Sequence, residues 1–165
     1  MLLGAPRVFI YQLLNNNSED FALLENDGSP RLQFTSVKNF IALFRDPGKP
    51  FSPGALRYTL DGDLSDIRQM LFQKRDGRFL LAIWQGVPSS TVTWSDSGIG
   101  DLEPERRALT LNLGTPIVSV KIYEPSFSNV PVQSLVSHAG TNQISLNVPD
   151  HVQVVELVPK GCKPA

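Results

Sequence analysis

Cysteine is nearly absent from this 165-residue chain: Cys162 stands alone, near the end. An intrachain disulfide is therefore impossible, and paired-cysteine metal or redox chemistry is excluded. An excess of either charge is also missing. Fifteen basic and sixteen acidic residues leave a formal net charge of −1, without the broad basic surface that nucleic acid or an anionic membrane would require. No apolar run approaches the ~20 residues of a membrane span. Met1 to Leu14 lacks a basic start and a small-residue cleavage site, and Pro6 and Arg7 interrupt it, so it does not read as a signal peptide. His138 and His151 are distant in sequence, each without a second His or Cys at ligand spacing. Asp61 to Asp66 lacks the full spacing of a calcium loop, and Gly98-Ile-Gly100 is too short for a nucleotide loop. No metal and no cofactor are expected.

What remains is an ordinary folded composition, 41% hydrophobic, arranged in two patterns. Val8 to Leu14 is nearly continuous and apolar, as in a strand buried on both faces. Asn15 to Ser18 breaks it with polar turn-formers, and Asn16-Asn-Ser18 fits a glycosylation sequon. Ser29 is suited to cap a helix and Pro30 to begin one. Phe34, Val37, Ile41 and Phe44 then recur at helical steps, with Phe40 widening the stripe, and Asp46-Pro47-Gly48 ends it. This is one strand–helix unit, and its strand lies close to Met1.

From Phe51 the period changes to two. Leu109, Leu111 and Leu113 alternate with polar residues; so do Val118, Val120 and Ile122, and Ile144, Leu146 and Val148. Turn formers separate the runs at Asp61-Gly62, Asp76-Gly77, Ser97-Gly98, Gly114, Pro125 and Gly140. Asp76-Gly77, between Ile67–Lys74 and Arg78–Gln85, is the best hairpin signal because both residues tolerate positive φ. The expected fold is mainly β: an antiparallel β-sandwich of roughly eight strands preceded by one strand–helix unit. The division expected is 1–50 for that unit, 51–160 for the sandwich and 161–165 for a flexible tail. Pro47 to Pro53, rich in proline, is the junction.

The order of these pieces resembles the C-terminal end of clan-A glycoside hydrolases, (β/α)8 barrels that often carry a β-sandwich after the last barrel helix. Ile10-Tyr-Gln-Leu-Leu14 is similar to the eighth barrel strand, Phe21 to Pro30 to the loop that follows, and Val37 to Leu43 to the final helix. Leu71 to Trp84 looks like the first long hairpin of the appended sandwich. Gln12 stands where relatives often carry an acidic residue, and Arg31 and Gln33 depart from the usual lysine–proline pattern. Such a barrel needs about 250 residues, and retaining hydrolysis needs two carboxylates about 5–5.5 Å apart. The strands that bear those carboxylates have no counterpart here, so no catalytic residue carries over.

The resemblance implies a non-catalytic accessory sandwich of a glycoside-hydrolase-like protein, truncated relative to a parent that would be an O-glycosyl hydrolase. Its expected partners are a polysaccharide or oligosaccharide and a missing barrel domain or partner chain, with no nucleic acid and no membrane. An extracellular or cell-envelope location is implied for a full-length parent. The alternative is a stand-alone carbohydrate-binding module using tryptophan. Trp94, in a polar strand, is the better stacking platform; Trp84, in the apolar run Phe79 to Trp84, reads first as core. Tyr11 and Gln12 are further candidates, at the mouth that the strand would line. Glu19, Asp20 and Glu25 read as solvated loop charges, and Cys162 as a free thiol.

Overall fold

A computed structural model describes residues 10, 12–14, 22–88, 90–91, 100–160 and 162. Its elements are one helix, α1 (Leu32–Phe44), and eight strands: β1 (Tyr58–Gly62), β2 (Ile67–Gln73), β3 (Phe79–Gln85), β4 (Ser90–Thr91), β5 (Gly100–Asp101), β6 (Arg107–Tyr123), β7 (Gln133–Val148) and β8 (Gln153–Pro159). The fold is mainly β and antiparallel, as the period-two patterning predicts.

Six strands form one sheet in the order β1-β6-β8-β3-β2, with β7 on the other side of β6, and β4 pairs with β5 separately. The sheet is sandwich-like because β6 serves two layers. Its first half, Leu109–Leu113, lies between β1 and β7; its second half, Ile117–Tyr123, lies between β8 and β7. Leu109, Leu111, Leu113, Ile144, Leu146 and Val148 from one layer meet Leu81, Ile83, Val120, Ile122, Val155 and Leu157 from the other in a single core. The partners across each ladder point to the same face, so alternation along every strand keeps this set together.

The bend falls where the turn signals Gly114 and Gly140 stand. Both prove to lie inside long strands rather than between short ones. The β6–β7 register shifts between Asn112 and Ile117 and again between Ile117 and Ser119. Against β8 the step from Ile117 to Ser119 spans a single residue, from Pro159 to Val158, so Val118 is extra; Ile117 and Val120 are buried while Val118 is only half-buried. This overturns the regular Val118–Val120–Ile122 alternation. Gly140 has φ +87°, and a Cβ there would meet the Cβ of Pro116 at 2.7 Å. Gly62, also read as a turn, lies at the end of β1 opposite Leu109.

The Asp76-Gly77 hairpin forms as expected, with Gly77 at φ +89° and Gln73 opposite Phe79. Cys162 tucks against this turn, its thiol 3.5 Å from the Gly77 carbonyl oxygen. Arg75, in the same turn, holds the junction: it pairs with Asp46 at 2.9 Å, donates to the Lys49 carbonyl and lies over the Phe51 ring.

Helix α1 covers the outer face of the second layer. Phe40, Leu43 and Phe44 pack on Leu80, Tyr123, Val154, Phe72 and Val152, and Asn39 donates to the Pro125 carbonyl at 3.0 Å. Strands β3 and β8, covered on both faces, are buried almost throughout. The buried face of the helix is therefore Asn39, Phe40, Leu43 and Phe44, displaced from the expected stripe; Ile41 is exposed. The start is displaced too. Ser29 and Pro30 do not cap the helix, because they close the preceding turn: Ser29 N–H donates to Asp27 Oδ1, its carbonyl accepts from Glu25 N–H, and Pro30 bridges Leu24. Arg31 takes the N-cap position without a side-chain cap.

The doubly buried strand over 8–14 is not what the described residues form. Leu14 makes a single parallel bridge to Leu24, and Ile10, Leu13 and Leu14 are exposed. Residues 8, 9 and 11 lie outside the described set.

The bend predicts unequal effects at two glycines of similar φ. Gly28, at +82°, has open space around its Cβ position, so Gly28→Ala should cost about 1–2 kcal/mol from backbone strain alone. Gly140→Ala adds a clash with a rigid proline ring and should cost about 2–4 kcal/mol. Urea unfolding midpoints check this; equal losses would remove the close Gly140–Pro116 contact from the account.

Candidate functional site

Three proline-marked segments converge at the end of the sandwich opposite the bend: Pro104-Glu-Arg106 before β6, Glu124-Pro-Ser-Phe127 after it, and Pro149-Asp-His151 between β7 and β8. They surround a cavity of about 440 Å³, lined by Leu102, Glu103, Pro104, Arg106, Phe127, Pro149, Asp150 and His151. Backbone geometry explains the convergence. Arg106 and Glu124 flank the two ends of β6, and a straight strand would set them about 60 Å apart. The folded strand brings them into contact instead.

Glu124 is buried, and the Arg106 guanidinium donates to both of its oxygens, the second at 3.0 Å. His151 lies between two carboxylates, with Nε2 3.4 Å from Glu124 and Nδ1 3.2 Å from Asp150. The exposed Phe127 ring meets the imidazole edge-on at 5.1 Å between centroids. Buried amides brace the same end: Gln85 Nε2 donates to the carbonyls of Glu105 and Val148, and Gln153 Nε2 to that of Asn147. The hydrogen bonds from Arg106 hold the Glu124 carboxyl below the usual carboxylate range, against the opposing pull of burial.

Chemically the cavity offers carboxylates, a guanidinium edge and an aromatic ring side by side. Among the described residues, its lining contains no hydroxyl or thiol to pair with His151 as a nucleophile. Such a set can hydrogen-bond hydroxyl groups and stack an apolar ring face.

The residues singled out from sequence lie elsewhere. Trp94 and Tyr11 fall outside the described residues. Trp84 is half-buried in β3, opposite Arg68, and does not line the cavity. Gln12 is half-buried; its Nε2 is buried without a hydrogen-bond partner among the described residues, while its backbone carbonyl accepts from Leu23 N–H. None of the four meets another candidate among the described residues. His151, passed over for want of a nearby ligand in sequence, finds acidic partners 27 positions away and next door. The usable signal was positional: charged residues beside proline, just outside alternating strands. In the Asp61–Asp66 segment Asp61 and Gly62 end β1 and a turn follows, with Asp63 accepting from Ser65 N–H and pairing with Arg107.

No family model matches the chain, and no curated protein matches it.

The ion pair sets a pH dependence. Because the folded-state pKa of Glu124 is depressed, its stabilisation is complete above the unfolded value near ~4.3 and is lost as pH falls through the folded value. Glu124→Gln should lower the urea midpoint at pH 7 and flatten its decline below about pH 5. Midpoints measured from pH 7 to pH 3 decide this; parallel wild-type and variant curves would show that the pair contributes nothing pH-dependent.

Proposed function

We propose that this chain is a non-catalytic accessory β-sandwich of a glycoside-hydrolase-like protein, in which the strand–loop–helix unit belongs to the barrel and the sheet is appended to it. One observation supports the reading most. The unit leaves large apolar side chains in solvent: Ile10, Leu13, Leu14, Leu32 and Ile41 are each exposed by half or more. Helix α1 packs one face on the sheet and leaves Ile41 exposed at its rim. Large exposed apolar side chains gathered on one unit suit a surface that another domain covers.

The coding sequence upstream tests this reading. It should continue in frame into alternating buried strands and amphipathic helices, of the kind that make a barrel of about 250 residues. In the longer polypeptide the amides of residues 10–14 and 32–41 should exchange more slowly than in this chain. Unrelated upstream sequence, or hydrolysis of aryl glycosides by the purified chain, would sink the proposal.

A second reading, a carbohydrate-binding module, draws support from the exposed Phe127 ring beside His151, Asp150 and Arg106. Electrophoresis through gels containing soluble polysaccharides should then retard the chain, with Phe127→Ala or Trp84→Ala releasing it according to which ring stacks. Unchanged mobility in every glycan removes this reading.

A further inference from the structure

Three strand edges end the main sheet, and two of them are guarded. β1 is only five residues long and carries Asp61 between Arg57 and Asp63. β2 carries Arg68 and is flanked by Asp66 and Lys74. Short length and charge are the usual means of keeping an edge from pairing with another chain. The third edge, β7, has neither. It runs for 16 residues and, among the described residues, pairs only with β6.

Charged residues make up 19% of the chain, yet none occurs from Pro125 to Pro149. Pro131 precedes the strand and does not interrupt it. Past Gln133 and Ser134, the successive residues Leu135 and Val136 put an apolar side chain on each face. Leu135 lies opposite Val120, Val136 lies opposite Ser119, and Val130, Val132 and Val136 are each at least 60% exposed. Val132 N–H already donates to the Ile122 carbonyl, extending the ladder before the strand proper. Alternate backbone N–H and C=O groups along β7 then face away from β6.

We infer that this edge is a self-association surface, on which β7 pairs antiparallel with β7 of a second copy about a twofold axis. Antiparallel pairing of identical strands is self-complementary and closes at two chains. A charged edge would meet its own charge across the axis; this edge has no Asp, Glu, Lys or Arg, and His138 is its one titratable residue, so self-pairing above the imidazole range meets no such repulsion. The paired strands would cover Val132, Leu135 and Val136 and satisfy the outward backbone groups. This inference does not rest on the carbohydrate-related reading.

Sedimentation of the full chain tests it. The chain should show a concentration-dependent equilibrium between 18.2 kDa and twice that mass, with residues 132–137 exchanging amide hydrogens more slowly as concentration rises. Val136→Lys places two like charges across the axis and should raise the dimer dissociation constant at least about tenfold. Val136→Thr keeps strand propensity and should leave the dimer in place. Because Val136 is exposed, an unchanged urea midpoint will show that the lysine variant is folded. Ile41→Lys, on the helix, should not affect association. A monomer at all concentrations up to about 100 µM, growth beyond two chains, or dissociation by Ile41→Lys but not Val136→Lys would each overturn the inference.

Discussion

The fold depends on the bending of one ribbon. β6 and β7 are each too long for a domain of this size if straight, so they must turn back on themselves, and the turn must not break their pairing. Gly140 allows it by adopting positive φ and by lacking the Cβ that Pro116 would strike. Asn142 Nδ2 and Gly114 N–H, bonding to the carbonyls of Leu113 and Arg57, keep backbone groups near the bend satisfied. Once the ribbon is folded, its two halves become opposing layers with their apolar faces inward. At the far end Arg106 and Glu124 join what the bend has brought together.

The second layer is unlike the first because it is buried twice. Its inner face meets the first layer and its outer face meets α1. The price is that polar groups on the outer face must find partners. Glu156 does so with Arg78 at 2.9 Å and Lys121 at 3.7 Å. Burial pushes the nearby Tyr123 phenol above its ordinary pKa. Arg78 in turn holds Asp76 low through a hydrogen bond, fixing the charged turn beside the strand. The helix is therefore part of the packed body of the sheet, while its Ile41 side remains open.

Legibility in the sequence followed the range of the forces involved. The Asp76-Gly77 hairpin was readable because the turn geometry needs only those two residues. The inward sets at Leu109–Leu113 and Ile144–Val148 were readable because strand alternation is local. The helix was readable in existence but misplaced in start and face, since Ser29 was claimed by a neighbouring turn and the sheet chose the packed side. Gly114 and Gly140 were taken for chain reversals, because a glycine that permits a bend looks the same in sequence as one that permits a turn. The cavity was not readable at all: its groups come from three segments joined only by the folding of β6.

By itself, the sequence determined that the chain is mainly β and antiparallel, with one amphipathic helix before the strands, and that an intrachain disulfide and paired-cysteine chemistry are closed to it. These follow from residue type and period, which act over a few neighbours. Only the tertiary structure decided that the runs on either side of Gly114 are one bent strand, that β7 likewise continues through Gly140, and that His151 stands between Glu124 and Asp150. It alone left β7 paired on one side only among the described residues. Those outcomes depend on which distant segments share a ladder, and long-range pairing leaves no local mark on the residues that make it.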